Sequence, residues 1–307
     1  MSKRVLASAL TVFIIAPFHV CGQTAPPPSD ATPPSGATRS TSGTTTTANT
    51  PAPPQEPYIL EDGGFSIEPF YWLNRAQPSL FGGKTATTFG NLDYPGNANY
   101  SVGGEIAFPA GRSNSLRISY FRGQGNANST LSQNANIFSE NYSAGDYLSA
   151  NYLIQGAKVS WDYLSYTWHK RAGAIRLKTL WEVQYVNVGT NIIAPLKEAT
   201  TDTSSGSTDF NTAQGAKNLI LPTLGLGFEQ RIGHHFRWEL KGSGFGIPHR
   251  SDIWDAEGSI AIRVRQFEIL GGEKAFHFKT TPQADQYFTD TLSGAYVGLR
   301  YYWGGAE

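Results

Sequence analysis

The stretch Ile175-Arg176-Leu177-Lys178-Thr179-Leu180-Trp181-Glu182-Val183-Gln184-Tyr185 decides the architecture. Ile175, Leu177, Trp181, Val183 and Tyr185 fall on one side of an extended chain, and Arg176, Lys178, Glu182 and Gln184 on the other. Alternation with a period of two is the signature of a β-strand whose two faces meet different surroundings. One face here is apolar and aromatic, and the other carries full charges.

The pattern recurs along the chain. In Asn99–Pro109, Tyr100, Val102, Ile106 and Phe108 oppose Ser101, Gly103, Glu105 and Ala107. It returns in Ser113–Gly123, Asn218–Ile232, His234–Gly246, Trp254–Arg265 and Thr289–Trp303. Three stretches fit less cleanly: Phe65–Trp72, Leu148–Tyr166, and Phe267–Lys279, where Gly271-Gly272 suggests a β-bulge. With Ala174–Gly189 these make ten expected strands of about the 9–11 residues that cross a bilayer at a tilt. Long connections (Asn74–Ala98, Gln124–Tyr147, Asn191–Lys217) and moderate ones (Ile247–Ile253, Thr280–Phe288) alternate with short ones near Pro109–Arg112, His169–Gly173, Arg231–His235 and Arg265–Gln266. The expected fold is therefore an all-β, antiparallel transmembrane β-barrel of ten strands, within a range of eight to twelve. Its turns are short on the periplasmic side and its loops long on the outer side. A soluble sandwich also alternates, but here Trp and Tyr crowd the strand ends, the opposite faces are charged, and no separate apolar core is evident.

Composition agrees. Of 307 residues, 39% are hydrophobic and 13% aromatic, with 33 Gly, which suits strands more than helices. Past residue 25 no stretch approaches the roughly 20 apolar residues of a spanning helix. Lys+Arg and Asp+Glu are both 24, so no basic excess favours nucleic acid as a partner.

The beginning of the chain reads as an address and a tether. A basic Ser2-Lys3-Arg4 precedes an apolar run from Val5 to Val20, and Val20-Cys21-Gly22 resembles a cleavage site, so residues 1–22 are expected to be a signal peptide. Cys21 is the only cysteine, and the preceding Phe18-His19-Val20 is a poor acylation motif. Cleavage after Gly22 leaves no thiol, which excludes disulfides and Cys-based chemistry. Residues 23–57 are rich in Pro, Thr, Ser, Ala and Gly and are expected to be a disordered, extended linker. It reads either as a spacer that could reach peptidoglycan or as a tolerated low-complexity leader. Residues 58–307 form the expected barrel.

The last strand, Gly294-Ala295-Tyr296-Val297-Gly298-Leu299-Arg300-Tyr301-Tyr302-Trp303, resembles the C-terminal signature strand of bacterial outer-membrane β-barrel proteins. That resemblance implies the outer membrane of a Gram-negative-type bacterium as location. It also implies outer-membrane lipid and the barrel-insertion machinery as partners, with Leu299, Tyr301 and Trp303 as the assembly signal. In that family the signature usually ends on the final aromatic, whereas here Gly304-Gly305-Ala306-Glu307 follow.

The inward face is the most informative constellation. Its expected acids are Glu68, Glu105, Asp162, Glu182, Glu229, Glu239, Asp255, Glu257 and Glu273. The expected bases are Arg117, Lys158, Arg176, Lys178, Arg237, Lys241, Arg263, Lys279 and Arg300, nine against nine. Charges in a confined interior must pair or stay wet. A ten-strand barrel is only modestly wider than an eight-strand one that its side chains nearly fill. The functional expectation is a non-enzymatic barrel with a structural or surface-interaction role, or a narrow small-solute channel. The alternative is a rim hydrolase. His249, Asp252 and Asp255 at the seventh connection are similar in residue type to the rim of the omptin proteases, ten-stranded barrels, though no matching motif surrounds them. His234-His235 read as surface polar residues of a turn. Outer-membrane phospholipases and lipid A deacylases use Ser and His on the barrel's outer face, and the expected register points His277 inward, away from such a role. No cofactor or metal site is expected.

Overall fold

The computed structural model describes residues 64–303, apart from 77–78, 83–91, 94–99, 112–113, 133, 139, 170–172, 197–199, 202–207, 210–211, 234 and 282–285. The expected leader, linker and final four residues lie outside the described residues.

Ten strands close into an antiparallel barrel: β1 Phe65–Trp72, β2 Ser101–Pro109, β3 Ser115–Thr130, β4 Tyr147–Trp168, β5 Ile175–Ile193, β6 Thr212–Ile232, β7 Phe236–Ile247, β8 Ser251–Val264, β9 Phe267–Lys279 and β10 Gln286–Trp303. Each strand pairs with the next in sequence, and β1 pairs with β10 from Phe65↔Trp303 to Trp72↔Tyr296. Closure leaves no barrel edge, so backbone groups find their partners within the sheet. A short strand Ser79–Gly82 adds to the free upper side of β10, with Leu92–Asp93 beside it. Two small hairpins, Ala135–Ile137 with Glu140–Tyr142 and Thr200–Thr201 with Thr208–Asp209, decorate the connections after β3 and β5.

The alternation holds strand by strand. Ile175, Leu177, Trp181 and Val183 face out of the barrel, while Arg176, Lys178, Glu182 and Gln184 are inside. Phe65, Phe108, Phe267, Tyr301 and Trp303 form a contiguous aromatic arc across β2, β1, β10 and β9 at the end where both barrel termini lie, with successive ring centroids 4.3–5.2 Å apart. At the other end, Tyr71 stacks on Tyr100 at 5.3 Å and Trp254 on His277 at 5.5 Å. Phe267 and His277 stand ten residues apart on β9; at about 3.3 Å per residue and a tilt of about 40° they are separated by about 25 Å along the barrel axis.

Four expectations are corrected. First, there is no bulge at Gly271-Gly272. The pairing runs unbroken through Ile260↔Gly271 and Ser259↔Gly272 on one side and Gly271↔Val297 and Gly272↔Tyr296 on the other. Gly272 is required for close approach instead: a Cβ there would collide with the backbone of Gly258 and Ser259. Among the described residues, the one shift in pairing between barrel strands lies between Leu164 and Tyr166, on β4. Second, strands of up to 22 residues are far longer than a bilayer needs. Third, the seventh connection is not a moderate loop but a three-residue turn, Pro248–Arg250, with Ile247 still paired to Ser251. His249 takes a φ of +61° there.

Fourth, the barrel has an apolar core. Where β3–β6 rise beyond the bilayer, the alternation inverts. Val186, Val188 and Ile192 on β5, Leu148, Ala150, Tyr152 and Ile154 on β4, and Ala213, Leu219 and Leu221 on β6 point inward, and Asn151, Asn187 and Asn218 point outward. Lipid no longer surrounds these positions, so the outward face becomes polar and the inward face packs. Trp72, Leu80, Ile253, Phe276, Phe278, Phe288 and Leu292 complete this layer from the opposite wall. The hairpin at 135–142 seats Ile137 in it, fully buried. Phe138 lies against Phe288, and its backbone N–H donates to Gln286 Oε1 at 3.4 Å. Its ring occupies the space a side chain at Gly215 would need. Burial beside Glu140 pushes the Tyr142 hydroxyl pKa up to about 12, so it stays neutral in the hairpin.

Candidate functional site

Below the apolar layer, from its lower edge to the termini end, the interior is a connected array of charges. Strand alternation aims them inward, and the two ends of the array differ in partners. Nearest the termini, Arg237 grips Glu268 through two N–H groups at 2.8 and 3.0 Å, and also reaches Glu239 at 3.1 Å. Arg300 donates to Glu68 at 2.6 Å and reaches Glu268 at 3.3 Å and Glu105 at 3.8 Å. The Tyr302 hydroxyl donates to Glu268 at 2.9 Å, and the Arg263 guanidinium lies 4.4 Å over the Tyr302 ring.

Beside them Arg117 is bound by Asp162 at 2.8 Å, Glu105 at 2.9 Å and Glu239 at 3.6 Å. Lys241 meets Glu239 at 3.0 Å, Lys178 meets Glu229 at 2.7 Å, and Arg176 stands 3.8 Å from Glu229. Higher still, Lys158 pairs with Asp255 at 2.7 Å and Glu182 at 3.6 Å, with Gln184 and Ser243 bonded to both carboxylates. Lys274 pairs with Glu257 at 2.9 Å under the Phe70 ring, and the Tyr296 hydroxyl donates to the same carboxylate at 2.6 Å.

Buried ions are expensive unless matched, and the matching here is dense. Sixteen of the residues expected inside stand there; Glu273 and Lys279 do not. With no bulge, β9 keeps its phase, so Glu273, His277 and Lys279 face outward and Glu268 and Lys274 take the interior places. The exchange of one acid and one base for another of each keeps the interior balanced. The signal for Glu268 and Lys274 was the unbroken alternation Glu268, Leu270, Gly272, Lys274, Phe276, Phe278.

Free space inside is small. A cavity of about 40 Å³ lies at the boundary of the two layers, between Phe70, Trp72, Phe121 and Phe276 on the apolar side and Lys158, Gln184, Asp255 and Lys274 on the charged side. A second, of about 10 Å³, lies among Arg117, Asp162, Lys158 and Glu182. Such volumes hold a few waters and one water respectively. Among the described residues no group of three or more His, Asp or Glu is placed to hold a metal ion.

The rim residues are not gathered as the alternative required. His249 occupies the three-residue turn, Asp255 is inside the barrel with Lys158, and Asp252 faces outward, 2.9 Å from His277 Nε2. His235 Nδ1 lies 2.9 Å from the Arg263 carbonyl, and His234 is outside the described residues.

The closed ten-strand antiparallel barrel has solved counterparts. The outer membrane protease OmpT from Escherichia coli matches with a TM-score of 0.51 at 10% identity, over 79% of this chain and 97% of that one. The fold is that of the bacterial outer-membrane β-barrels. Other barrels align at lower scores: Ail, the attachment invasion locus protein of Yersinia pestis (0.31, 9% identity, 78% and 99% covered), and the Pseudomonas putida toluene transporter TodX (0.30, 10%, 79% and 91%). At these identities the likeness concerns the fold alone. No family model matches the chain, and no curated protein matches it. In this outer-membrane barrel fold the outward band faces lipid, the termini and four short turns mark the periplasmic end, and the apolar layer lies toward the outside.

Proposed function

We propose that this is an outer-membrane barrel with a closed interior, which acts through its outer surface and not as a solute pathway. Of the two expectations left by the sequence, structural or surface-interaction protein and narrow channel, the interior favours the first. One observation carries the reading: among the described residues the interior is filled by two stacked plugs, a paired charge array and an apolar layer capped by the 135–142 hairpin, and the two cavities at and below their boundary, about 40 and 10 Å³, have room for a few waters. An ion would have to break salt bridges in the first plug and shed its water in the second. The barrel-insertion machinery would read Leu299, Tyr301 and Trp303, and the Pro/Thr-rich segment 23–57 would tether the barrel toward peptidoglycan.

Planar-bilayer conductance of the refolded full chain tests this. The expected trace shows no steps above the bare membrane. Regular steps of constant size overturn the closed-interior reading.

A further inference from the structure

The outward face of β8–β10 carries an arrangement that neither a closed barrel nor its assembly requires. We propose that Thr291, His277 and Asp252 form a lipid-facing acyl-transfer site that acts on ester-linked chains of an anionic membrane lipid. This goes beyond the closed-interior reading and does not depend on it.

The three residues occupy outward positions on three consecutive strands. His277 stands directly opposite Trp254 on β8 and Thr291 on β10, and Asp252 is the next outward residue above Trp254. His277 Nδ1 is 2.7 Å from Thr291 Oγ1, and its Nε2 is 2.9 Å from Asp252 Oδ2. An ionised carboxylate only accepts, so Nε2 carries the hydrogen that Asp252 receives. In the neutral ring with that tautomer Nδ1 is a lone pair to which the Thr291 hydroxyl donates, and the Asp290 backbone carbonyl is a further acceptor for the ring when it is protonated. Hydroxyl, imidazole and carboxylate thus stand in the order of an activated nucleophile, its base and the group that orients the base. Trp254 stacks on the imidazole with planes 17° apart and holds it.

Depth selects the substrate. His277 lies about 25 Å above the Phe267 ring level, at the outer boundary of the apolar band, where the ester carbonyls of a lipid sit. Below it the outward side chains are small: Ala256, Ala275 and Ser293 in one row, and Gly258 and Ala295 in the next, with Glu273 between them marking the lower end. An acyl chain can lie against that shallow strip. Above and beside it, Lys279 is opposite Asp252, and exposed Arg75 is bridged to Ser293. Lys279 Nζ lies 5.1 Å from the Tyr287 ring centroid, and two cations on this rim suit a lipid phosphate.

The chemistry balances. The Thr291 hydroxyl proton passes to His277 Nδ1 as Oγ1 bonds to the ester carbonyl carbon, and the carbonyl π pair moves to oxygen. Collapse re-forms the carbonyl and breaks the carbon–oxygen bond to the lipid alcohol, which leaves with the proton from His277. Interfacial water, deprotonated by the same nitrogen, then cleaves the Thr291 ester, releases the fatty acid and restores the hydroxyl.

The test uses the full chain in detergent, mixed separately with vesicles of phosphatidylglycerol, of an acylated anionic glycolipid, and of phosphatidylcholine, with released fatty acid read by mass spectrometry. Release is expected from at least one anionic vesicle. It should fall about 100-fold or more in His277→Ala and Thr291→Ala, persist within about 10-fold in Thr291→Ser, and stay unchanged in His249→Ala. A phosphonate ester probe should label Thr291. No release from either anionic lipid, release indifferent to His277→Ala and Thr291→Ala, or equal release from phosphatidylcholine overturns the proposal, provided each variant still shifts its gel mobility on boiling.

Discussion

Arg300 on the last strand binds Glu68 on the first, two hundred and thirty-two residues away in sequence, through a 2.6 Å hydrogen bond inside the closing seam. Phe65 and Trp303 meet at the foot of the same seam, with ring centroids 5.2 Å apart. The barrel is therefore latched by charge within and by aromatic contact without. Glu68→Ala leaves Arg300 with Glu268 and Glu105, whereas Arg300→Ala strands Glu68 as a buried, unmatched carboxylate. Arg300→Ala is expected to cost about 3–5 kcal/mol and Glu68→Ala less. Urea unfolding in lipid vesicles measures both, and an equal loss for the two would show that the latch works only as a pair.

The folded barrel should resist SDS at room temperature and migrate differently after boiling, because its closed sheet leaves no backbone group unpaired in the lipid. Identical migration before and after boiling, together with loss of β circular dichroism in detergent, would contradict the closed sheet.

Glu268→Leu and Glu273→Leu separate the observed phase of β9 from a bulged one. Glu268 is buried and bonded to Arg237, Arg300 and Tyr302, so its loss should destabilise by about 3–5 kcal/mol. Glu273 points toward lipid between Gly258 and Ala295, and Leu there should be neutral or stabilising by up to about 2 kcal/mol. Vesicle unfolding midpoints in the reverse order would restore the bulge.

Gly215→Val should evict the Phe138 ring from its seat and loosen the 135–142 hairpin. Limited proteolysis should then cut that hairpin at least about tenfold faster while the barrel strands stay protected. Unchanged cleavage would show that Phe138 does not hold the plug.

Trp303→Ser with Tyr301→Ser should leave the exported chain unassembled and open to periplasmic proteases, since both rings belong to the outward stripe of β10 at its periplasmic end. Wild-type levels in the outer membrane would remove this strand as the assembly signal.

The barrel was legible because a strand between lipid and a charged interior writes its period into side-chain polarity, as Ile175–Tyr185 does. Two things were harder. The pair Gly271-Gly272 fits either a bulge or a close approach of backbones, and only the partners of Gly272 decide between them; reading it as a bulge turned Glu273, His277 and Lys279 to the wrong side. The apolar layer was written in the chain as an inversion of polarity. Gln184 and Val186 are consecutive inward residues on β5, and Lys158 and Gly156, Ile154 mark the same step on β4, in register with them. A search for one constant pattern stops at that step. The meeting of Asp252, His277 and Thr291 could not be read from spacing, because it depends on the pairing offset of three strands.

Every neighbouring pair in the barrel wall except one is a hairpin of consecutive strands. Hairpins close cheaply and early, while a pairing that joins the two ends of the chain carries the full entropy of loop closure. Assembly therefore passes through an unclosed ten-stranded sheet in which β1 and β10 are bare edges, each able to template a foreign strand. The lifetime of that open sheet, set by how fast Phe65 finds Trp303, is the interval in which the chain is exposed to mispairing and aggregation.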